Sequence, residues 1–150
     1  MGDRFNFEPN KKIMIKNIAD IRRDYSHKKL SEKEVSENPI TQFGNWWEEA
    51  VHSKIDEVNA MTLATASQDG LPSARIVLMK GFNEQGFVFF TNYESYKGRQ
   101  LAENPKACLV IFWKELERQV RITGLVAPTE QASIQHAFRV NPRLSRRYSY

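Results

Sequence analysis

The sequence predicts a mainly β fold with flanking helices (α+β), in which antiparallel strands form a small closed barrel or sandwich. From Ala60 onward, the hydrophobic residues follow the period of strands for about seventy residues. The links between successive strands are short and contain Gly or Asn, as tight antiparallel hairpins require. Closure is expected because it hides the unpaired edges of the strands.

Five segments have the β-branched and aromatic enrichment of strands. They are Met61 to Ser67, Ser73 to Phe82, Gly86 to Asn92, Ala107 to Trp113 and Arg118 to Pro128. Two of the links, Gln68-Asp69-Gly70 and Asn83-Glu84-Gln85-Gly86, have the length and composition of hairpin turns. The first three strands are therefore expected to pair antiparallel in chain order.

Helical patterns flank these strands on both sides. The predicted helices are Ile13 to Tyr25, Phe43 to Val51, Ser95 to Glu103 and Thr129 to Phe138. Thr41 is available to cap the second helix, whose Trp46 and Trp47 are expected to be structural. Residues 1–19 are expected to be a partly flexible extension and residues 20–150 the folded domain.

Length and composition indicate one globular domain, since the chain has 150 residues of which 41% are hydrophobic. No apolar run reaches the roughly 18 residues of a membrane span, and the polar start at Met1 lacks a secretory signal. The single Cys108 cannot form an internal disulfide, so it is interpreted as a small core residue in a reducing, cytoplasmic setting.

Basic side chains stand at the two ends of the second predicted strand. Arg75 and Lys80 fall on opposite faces of an ideal strand, because side chains alternate with a period of two. Both can reach one anionic ligand only if the strand bends, bulges or ends between them, or if the ligand straddles the end of the strand. The alternative is that each cation decorates a solvated strand end. The net charge of +4, from 22 basic and 18 acidic residues, is compatible with an anionic ligand.

A second basic cluster opens the predicted helix after the third strand. Ser95 stands at the capping position, and Lys97 and Arg99 follow in the first turn. Free backbone N–H groups and the helix dipole favour an anion there, whereas cations without one oppose the dipole. Either a phosphate lies among these cations, or their long side chains reach into water.

The last predicted strand places Gln119 between Arg118 and Arg121. An amide offers both donor and acceptor, which suits the edge of a flavin ring, but the residues alone leave its role open. Structural pairing with Glu115 or Glu117 is favoured for the arginines. No metal-ligand spacing, P-loop or nucleophile elbow is present, so an organic cofactor would have to supply any chemistry.

The order and spacing of several motifs resemble those of the pyridoxine/pyridoxamine 5′-phosphate oxidase family. They are Arg-Ile-Val-Leu-Met-Lys at 75–80, Phe-Phe-Thr-Asn at 89–92, Ser-x-Lys at 95–97, Asn-Pro at 104–105, Leu-Glu-Arg-Gln-Val at 116–120 and Arg-Arg-Asp-Tyr at 22–25. The likeness runs from about residue 20 to about residue 145. It implies an FMN-binding split barrel of antiparallel Greek-key strands and a homodimer with FMN at the subunit interface.

The resemblance also assigns residues to ligands. Those matching flavin contacts are Arg75, Ile76, Val77, Leu78, Met79, Lys80, Phe90, Thr91, Tyr96, Lys97 and Gln119, the last from the partner subunit. Those matching substrate contacts are Arg22, Arg23, Asp24, Tyr25, Lys80 and Ser145. Phe90 stands where Tyr is usual in the family, and Tyr96 stands where Arg is common.

The implied reaction is the oxidation of pyridoxine or pyridoxamine 5′-phosphate to pyridoxal 5′-phosphate, with O₂ as acceptor and H₂O₂ as product. No catalytic side chain, metal, membrane or nucleic-acid partner is implied. A flavin-binding or pyridoxal-phosphate-carrying module without efficient turnover is the alternative, and a basic nucleic-acid-binding barrel is a third class.

Departures from the family pattern fall near the end of the sequence. Ala137 and Asn141 replace the Tyr and Arg that would hold the substrate phosphate, and the pattern is lost after Ser145. The family continues through further strands, so this sequence is interpreted as a shortened form, in preference to a natural short relative. A shortened form is expected to have an exposed barrel edge and low stability.

Overall fold

The structure is a computed structural model that describes residues 35–129 and 137–142. Its elements are α1 (Pro39–His52), β1 (Ala60–Ala66), β2 (Pro72–Asn83), β3 (Gly86–Phe90), α2 (Tyr96–Glu103), β4 (Lys106–Trp113), β5 (Arg118–Pro128) and β6 (Ala137–Pro142). The helix predicted over Ile13 to Tyr25 lies outside the described residues. None of the described helices is long and apolar enough to cross a membrane.

The strands form a closed antiparallel barrel in the order β1-β2-β3-β6-β5-β4, with β4 also paired to β1. The part β4-β1-β2-β3 is a Greek key, because the fourth strand returns through a long connection to lie beside the first. The mainly β prediction and the antiparallel pairing are confirmed. Closure leaves no barrel edge open among the described strands, so the expectation of an exposed edge is wrong.

The sixth strand is a correction to the sequence analysis. Ala137 and Phe138 were expected to end a helix, but both lie in β6, which pairs with β3 and β5. The rings of Phe138 and Phe89 stack with their centroids 5.8 Å apart, and Ala137 is fully buried opposite Phe90. These tertiary contacts override a helical pattern. The rest of that predicted helix, residues 130–136, lies outside the described residues.

The core fills the barrel and extends beneath α1. Inward-facing strand residues alternate with half-buried or exposed ones, as the burial of β1, β2 and β4 shows. The largest fully buried side chains are Trp113, Phe87, Phe89, Met61, Leu63, Leu109, Ile111 and Val140. From α1, Phe43 packs edge-on against Phe82 and Phe87 at centroid distances of 4.8 and 4.9 Å. This aromatic cluster fixes α1 on the barrel.

Two local predictions fail for identifiable reasons. Asn38, not Thr41, caps α1: its side-chain oxygen accepts from the backbone N–H groups of Ile40 and Thr41, and Pro39 takes the first helical position. Cys108 is half-buried on the outer face of β4 and is not a core residue. Strand periodicity says which residues share a face, but not which face is the inner one.

Helix α2 closes one end of the barrel. As predicted, Ser95 caps it, with its hydroxyl accepting from the Gly98 N–H at 3.2 Å. A Cβ atom at Gly98 would lie 2.4 Å from the carbonyl oxygen of Tyr93, so only glycine permits this close approach. At the other end of α2, Asn104 donates to the carbonyl of Ser67 at 3.4 Å. The helix is thereby held against the end of β1.

Candidate functional site

Arg75 points inward from β2 at the barrel end that α2 covers. Its Nη1 donates to Thr65 Oγ1 at 2.6 Å and to the carbonyl oxygen of Leu63 at 3.3 Å. Its Nη2 donates to Ser73 Oγ at 2.6 Å and to Gln100 Oε1 at 3.3 Å. Burial lowers the pKa of Arg75, but the guanidinium remains protonated at any physiological pH. A fixed positive charge therefore lies beneath the start of α2.

The first turn of α2 adds polar groups near this charge. Thr91 is buried, and its hydroxyl lies 3.3 Å from that of Ser95. Lys97 is half-buried, whereas Tyr96 is exposed and its electrostatic interaction with Arg75 works against the lowering of the arginine pKa. The structure thus brings Arg75, Thr91, Tyr96 and Lys97 to one end of the barrel, as their shared assignment to one ligand would require.

Lys80 occupies the opposite end of β2, at a break in the strand register. The pairing of β2 with β3 shifts between Met79 and Gly81, which is a β-bulge at Lys80. The lysine ammonium lies over the ring of Phe90, 5.7 Å from its centroid. At the rise of a strand, Arg75 and Lys80 are about 16 Å apart along the chain. A bulge is one of the features expected to let both cations reach one ligand, but Arg75 still faces the barrel interior and Lys80 the outer surface.

An open groove of about 400 Å³ lies next to Lys80. Its lining residues are Trp47, Val58, Asn59, Met79, Lys80, Gly81 and Phe82. Asn59 fixes one wall, because its side-chain amide donates to the Met79 carbonyl at 3.0 Å and its own carbonyl accepts from the Met79 N–H at 2.8 Å. The groove is mainly apolar with one cation at its edge, and its volume lies within the range of small-molecule sites. Trp47, which was expected to be structural, packs on Phe43 and Phe82 and also lines this groove.

The residues between the two cations divide between core and surface. Val77 and Met79 are buried, while Ile76 and Leu78 are exposed on the outer face, 65% and 37% respectively. The segment 75–80 therefore does not present all of its side chains to one ligand. Those of Val77 and Met79 face the barrel core, so only their backbone atoms can reach a ligand on the outer face.

Gln119 lies apart from these groups within one chain. It is exposed on the outer face of β5, opposite Phe112 in the strand register, and both β4 and β1 separate β5 from β2. Its neighbour Arg118 pairs with Glu49 of α1 at 2.9 Å and lies over the ring of Trp46. Structural pairing of Arg118 is confirmed, but the partner is Glu49 and not a nearby glutamate of its own segment.

The predicted substrate contacts are described only in part. Arg22, Arg23, Asp24, Tyr25 and Ser145 lie outside the described residues. No group of three or more side chains suited to holding a metal ion occurs in residues 35–129 and 137–142.

Sequence reasoning missed the groups that hold Arg75. Thr65, Ser73 and Gln100 come from three different elements and belong to none of the motifs quoted above. The register of β1 on β2, which pairs Thr65 with Ser73, is what brings the first two together. The helical pattern could have predicted that Gln100 faces the barrel, but not that it bonds to Arg75.

Residues 47–149 match the family described as pyridoxamine 5′-phosphate oxidase. The chain belongs to the pyridoxamine 5′-phosphate oxidase family. Pyridoxine/pyridoxamine 5′-phosphate oxidases from Nostoc sp. and Acaryochloris marina are each 54% identical to it, over 133 and 126 residues. These matches cover 89% and 84% of this chain, and 62% and 58% of the relatives. The chain thus spans about three fifths of the length of these curated family members.

Solved structures share the barrel. PhzG from Burkholderia lata, in complex with tetrahydrophenazine-1-carboxylic acid, superposes with a TM-score of 0.63 at 33% identity, covering 65% of this chain and 48% of that protein. A pyridoxamine 5′-phosphate oxidase-related, FMN-binding protein from Nostoc punctiforme gives 0.52 at 24% identity, covering 61% and 49%. The second likeness confirms the split-barrel fold expected for the oxidase family.

Proposed function

We propose that the chain binds FMN along β2 and oxidises pyridoxine or pyridoxamine 5′-phosphate to pyridoxal 5′-phosphate, with O₂ as acceptor and H₂O₂ as product. The observation that carries the proposal is the arrangement of Arg75 and Lys80. One strand holds a rigid cation at its α2 end and a second cation at a bulge about 16 Å away. Family membership supports the same assignment.

The flavin phosphate is assigned to the Arg75 end. A phosphate there would meet a guanidinium already fixed by Thr65 and Ser73, so little side-chain entropy remains to be lost on binding. The longer contact of Arg75 Nη1, to the Leu63 carbonyl oxygen at 3.3 Å, is the one that a phosphate oxygen would replace most readily.

Lys97 and Thr91 complete the donor set at this end. The half-buried Lys97 would supply a second charge, and the Thr91 hydroxyl would supply a neutral donor. Tyr96 replaces an arginine common in the family, so this cluster has one cation fewer. These groups fit a phosphate dianion, since two cations and a hydroxyl come from three separate segments, β2, the β3–α2 link and α2.

The Lys80 end is assigned to the flavin ring and to the substrate phosphate. The ammonium of Lys80 is exposed at the mouth of an apolar groove, where Trp47 and Phe82 would exclude water from one side of a planar ligand. When bound, FMN would supply the redox chemistry, as hydride acceptor from the substrate and electron donor to O₂. The chain itself aligns the two ligands, which agrees with the lack of a predicted catalytic side chain.

A homodimer is part of the proposal. The outer face of β2, β1 and β4 exposes Ile76, Leu78 and Phe112, the last by 51%, while β1 contributes small residues between them. Such an apolar face is suited to burial against a second copy. Gln119, beside Phe112, could then reach the flavin of the partner subunit, although it is remote from Arg75 within its own chain.

Flavin binding without efficient turnover is a second candidate, favoured by β6. Ala137 is fully buried and Asn141 is exposed, so neither position provides the hydroxyl or guanidinium that the family motif has there. Substrate phosphate would then depend on Lys80 alone among the described residues assigned to it. We expect weak substrate binding in that case, with FMN binding retained.

Anaerobic mixing of the chain with FMN and pyridoxamine 5′-phosphate tests the proposal. Bleaching of the flavin, followed by peroxide release on admission of air, is expected for the oxidase. FMN binding without bleaching would support the second candidate. Arg75→Ala should weaken FMN binding about 10- to 100-fold, as expected for loss of hydrogen bonds to a charged group.

Lys80→Ala should slow flavin reduction more than it weakens FMN binding. The exposed Lys114 is the matched control, and Lys114→Ala should change neither. If Arg75→Ala and Lys80→Ala both behave like this control, the assignment of β2 to the flavin is wrong.

In light scattering, Ile76→Asp should convert a wild-type dimer to a monomer; an unchanged mass would contradict the assigned dimer face.

A further inference from the structure

Gln100 lies in the middle of α2 and faces the closed end of the barrel, where its side chain is 97% buried. Its Oε1 accepts from Thr65 Oγ1 at 2.7 Å and from Arg75 Nη2 at 3.3 Å. Thr65 Oγ1 in turn accepts from Arg75 Nη1 at 2.6 Å. The three side chains therefore form a closed ring of hydrogen bonds, in which each terminal nitrogen of the guanidinium has its own acceptor.

The other end of the same amide has no partner among the described residues. Gln100 Nε2 is buried without a hydrogen bond. An orphaned buried donor costs roughly 1–3 kcal/mol, which makes glutamine a poor choice if only the stability of the fold were served. Turning the amide over would place its NH₂ against the Arg75 donor, so Arg75 itself dictates the orientation that leaves Nε2 unsatisfied.

We propose that Gln100 is a positioning residue for phosphate recognition: with Thr65, it fixes the plane of the Arg75 guanidinium beneath the first turn of α2. The inference rests on the proposed function, in which Arg75 binds the flavin phosphate. Because Gln100 is buried behind Arg75, it acts through the arginine and does not touch the ligand. Its contribution is to keep a flexible side chain in one orientation before the phosphate arrives.

Comparison of FMN with riboflavin isolates this effect, since the two ligands differ only by the phosphate. Flavin fluorescence quenching gives both dissociation constants for the wild type, Gln100→Met and Arg75→Met. Gln100→Met should leave riboflavin binding unchanged and weaken FMN binding about tenfold. A tenfold loss of FMN affinity is roughly half the free energy of a charge-assisted hydrogen bond. The double variant should bind FMN no more weakly than Arg75→Met alone, because Gln100 acts through that residue.

The same substitution at an exposed glutamine, Gln85→Met in the β2–β3 turn, is the matched control and should change neither constant. Thr65→Val removes the other member of the ring at nearly constant volume, and should also lower the preference for FMN over riboflavin. This second variant keeps the test available if Gln100→Met fails to fold.

Three outcomes would overturn the inference. Equal weakening of FMN and riboflavin would show that Gln100 only packs α2 onto the barrel. A normal preference for FMN in Gln100→Met, together with its loss in Arg75→Met, would reject the positioning role and leave the proposed function standing. A normal preference in Arg75→Met itself would reject the phosphate assignment, and the role of Gln100 with it.

Discussion

Arg75 and Lys80 lie on the same strand, yet the structure holds them in opposite ways. Arg75 points into the barrel and is fixed by side chains from β1, β2 and α2. Lys80 points outward at a bulge, with an aromatic ring beneath it and a groove beside it. Under the proposed function, this difference would suit a fixed cation to a cofactor phosphate and an exposed cation to the substrate.

We expect the largest loss of stability from a substitution in the core that lies beneath both ends of β2. Phe89 is fully buried, lies opposite Met79 of β2 and stacks on Phe138. Phe89→Ala should lower the free energy of unfolding by about 3–5 kcal/mol, because the cavity cannot collapse inside a closed barrel. Urea denaturation measures it. Leu71→Ala, at a residue 60% exposed between β1 and β2, is the control, and a loss under 1 kcal/mol for Phe89→Ala would contradict the described core.

Two glycines, one near Arg75 and one near Lys80, differ in the space around them. Gly98→Ala places a methyl group 2.4 Å from the carbonyl of Tyr93, so α2 must shift and unfolding should become easier by about 1–3 kcal/mol. Gly81→Ala at the Lys80 end meets nothing within 4 Å and should be neutral or slightly stabilising. Thermal unfolding compares them. Equal effects would mean that α2 does not press on residues 92–93 as the structure shows.

Removing Arg75 and Lys80 separately tests how much each cation stabilises the fold. Arg75→Ala removes the guanidinium donor from the buried Thr65 and Gln100, which keep only their bond to each other, and should lower the free energy of unfolding by about 1–2 kcal/mol. Lys80→Ala should stay within about 0.5 kcal/mol, as is usual for an exposed side chain. Both are read from chemical denaturation without ligand. A larger loss for Lys80→Ala would reverse our view of which cation is structural.

The smallest expected effect lies in the turn that leads into β2. The hydroxyl of Ser67 and then the backbone N–H of Leu71 lower the pKa of Asp69 below its ordinary value of 3.8. A depressed pKa in the folded state adds stability that is present above the unfolded value and disappears as the pH falls through the folded one. Asp69→Asn should therefore lower the melting temperature slightly at pH 7.

That difference should shrink steadily as the pH falls below about 4. Ser67→Ala removes the largest cause of the shift, so Asp69→Asn should have less effect in that background. A difference between wild type and Asp69→Asn that is constant from pH 7 to pH 3 would show that the carboxylate charge contributes nothing to the turn.

Most of the fold was predictable because its signals are local. Strand periodicity located five of the six strands, and the cap at Ser95 and the proline after Asn104 located α2. The sixth strand was missed because its pattern is weak and its residues are ordered by contacts with β3 and β5. Asn38 was missed as a cap because any of several polar residues near Pro39 could have served.

The sequence by itself determined the alternation that sends Arg75 and Lys80 to opposite faces, the basic start of α2 and, through its motifs, membership of the family. Only the tertiary structure decided which face of β2 is the inner one, where the strand bulges, and that Thr65 and Gln100 hold Arg75. The reason is that periodicity and capping depend on near neighbours in the chain, whereas register, bulges and hydrogen-bond rings depend on strands and helices that meet only once the barrel has closed.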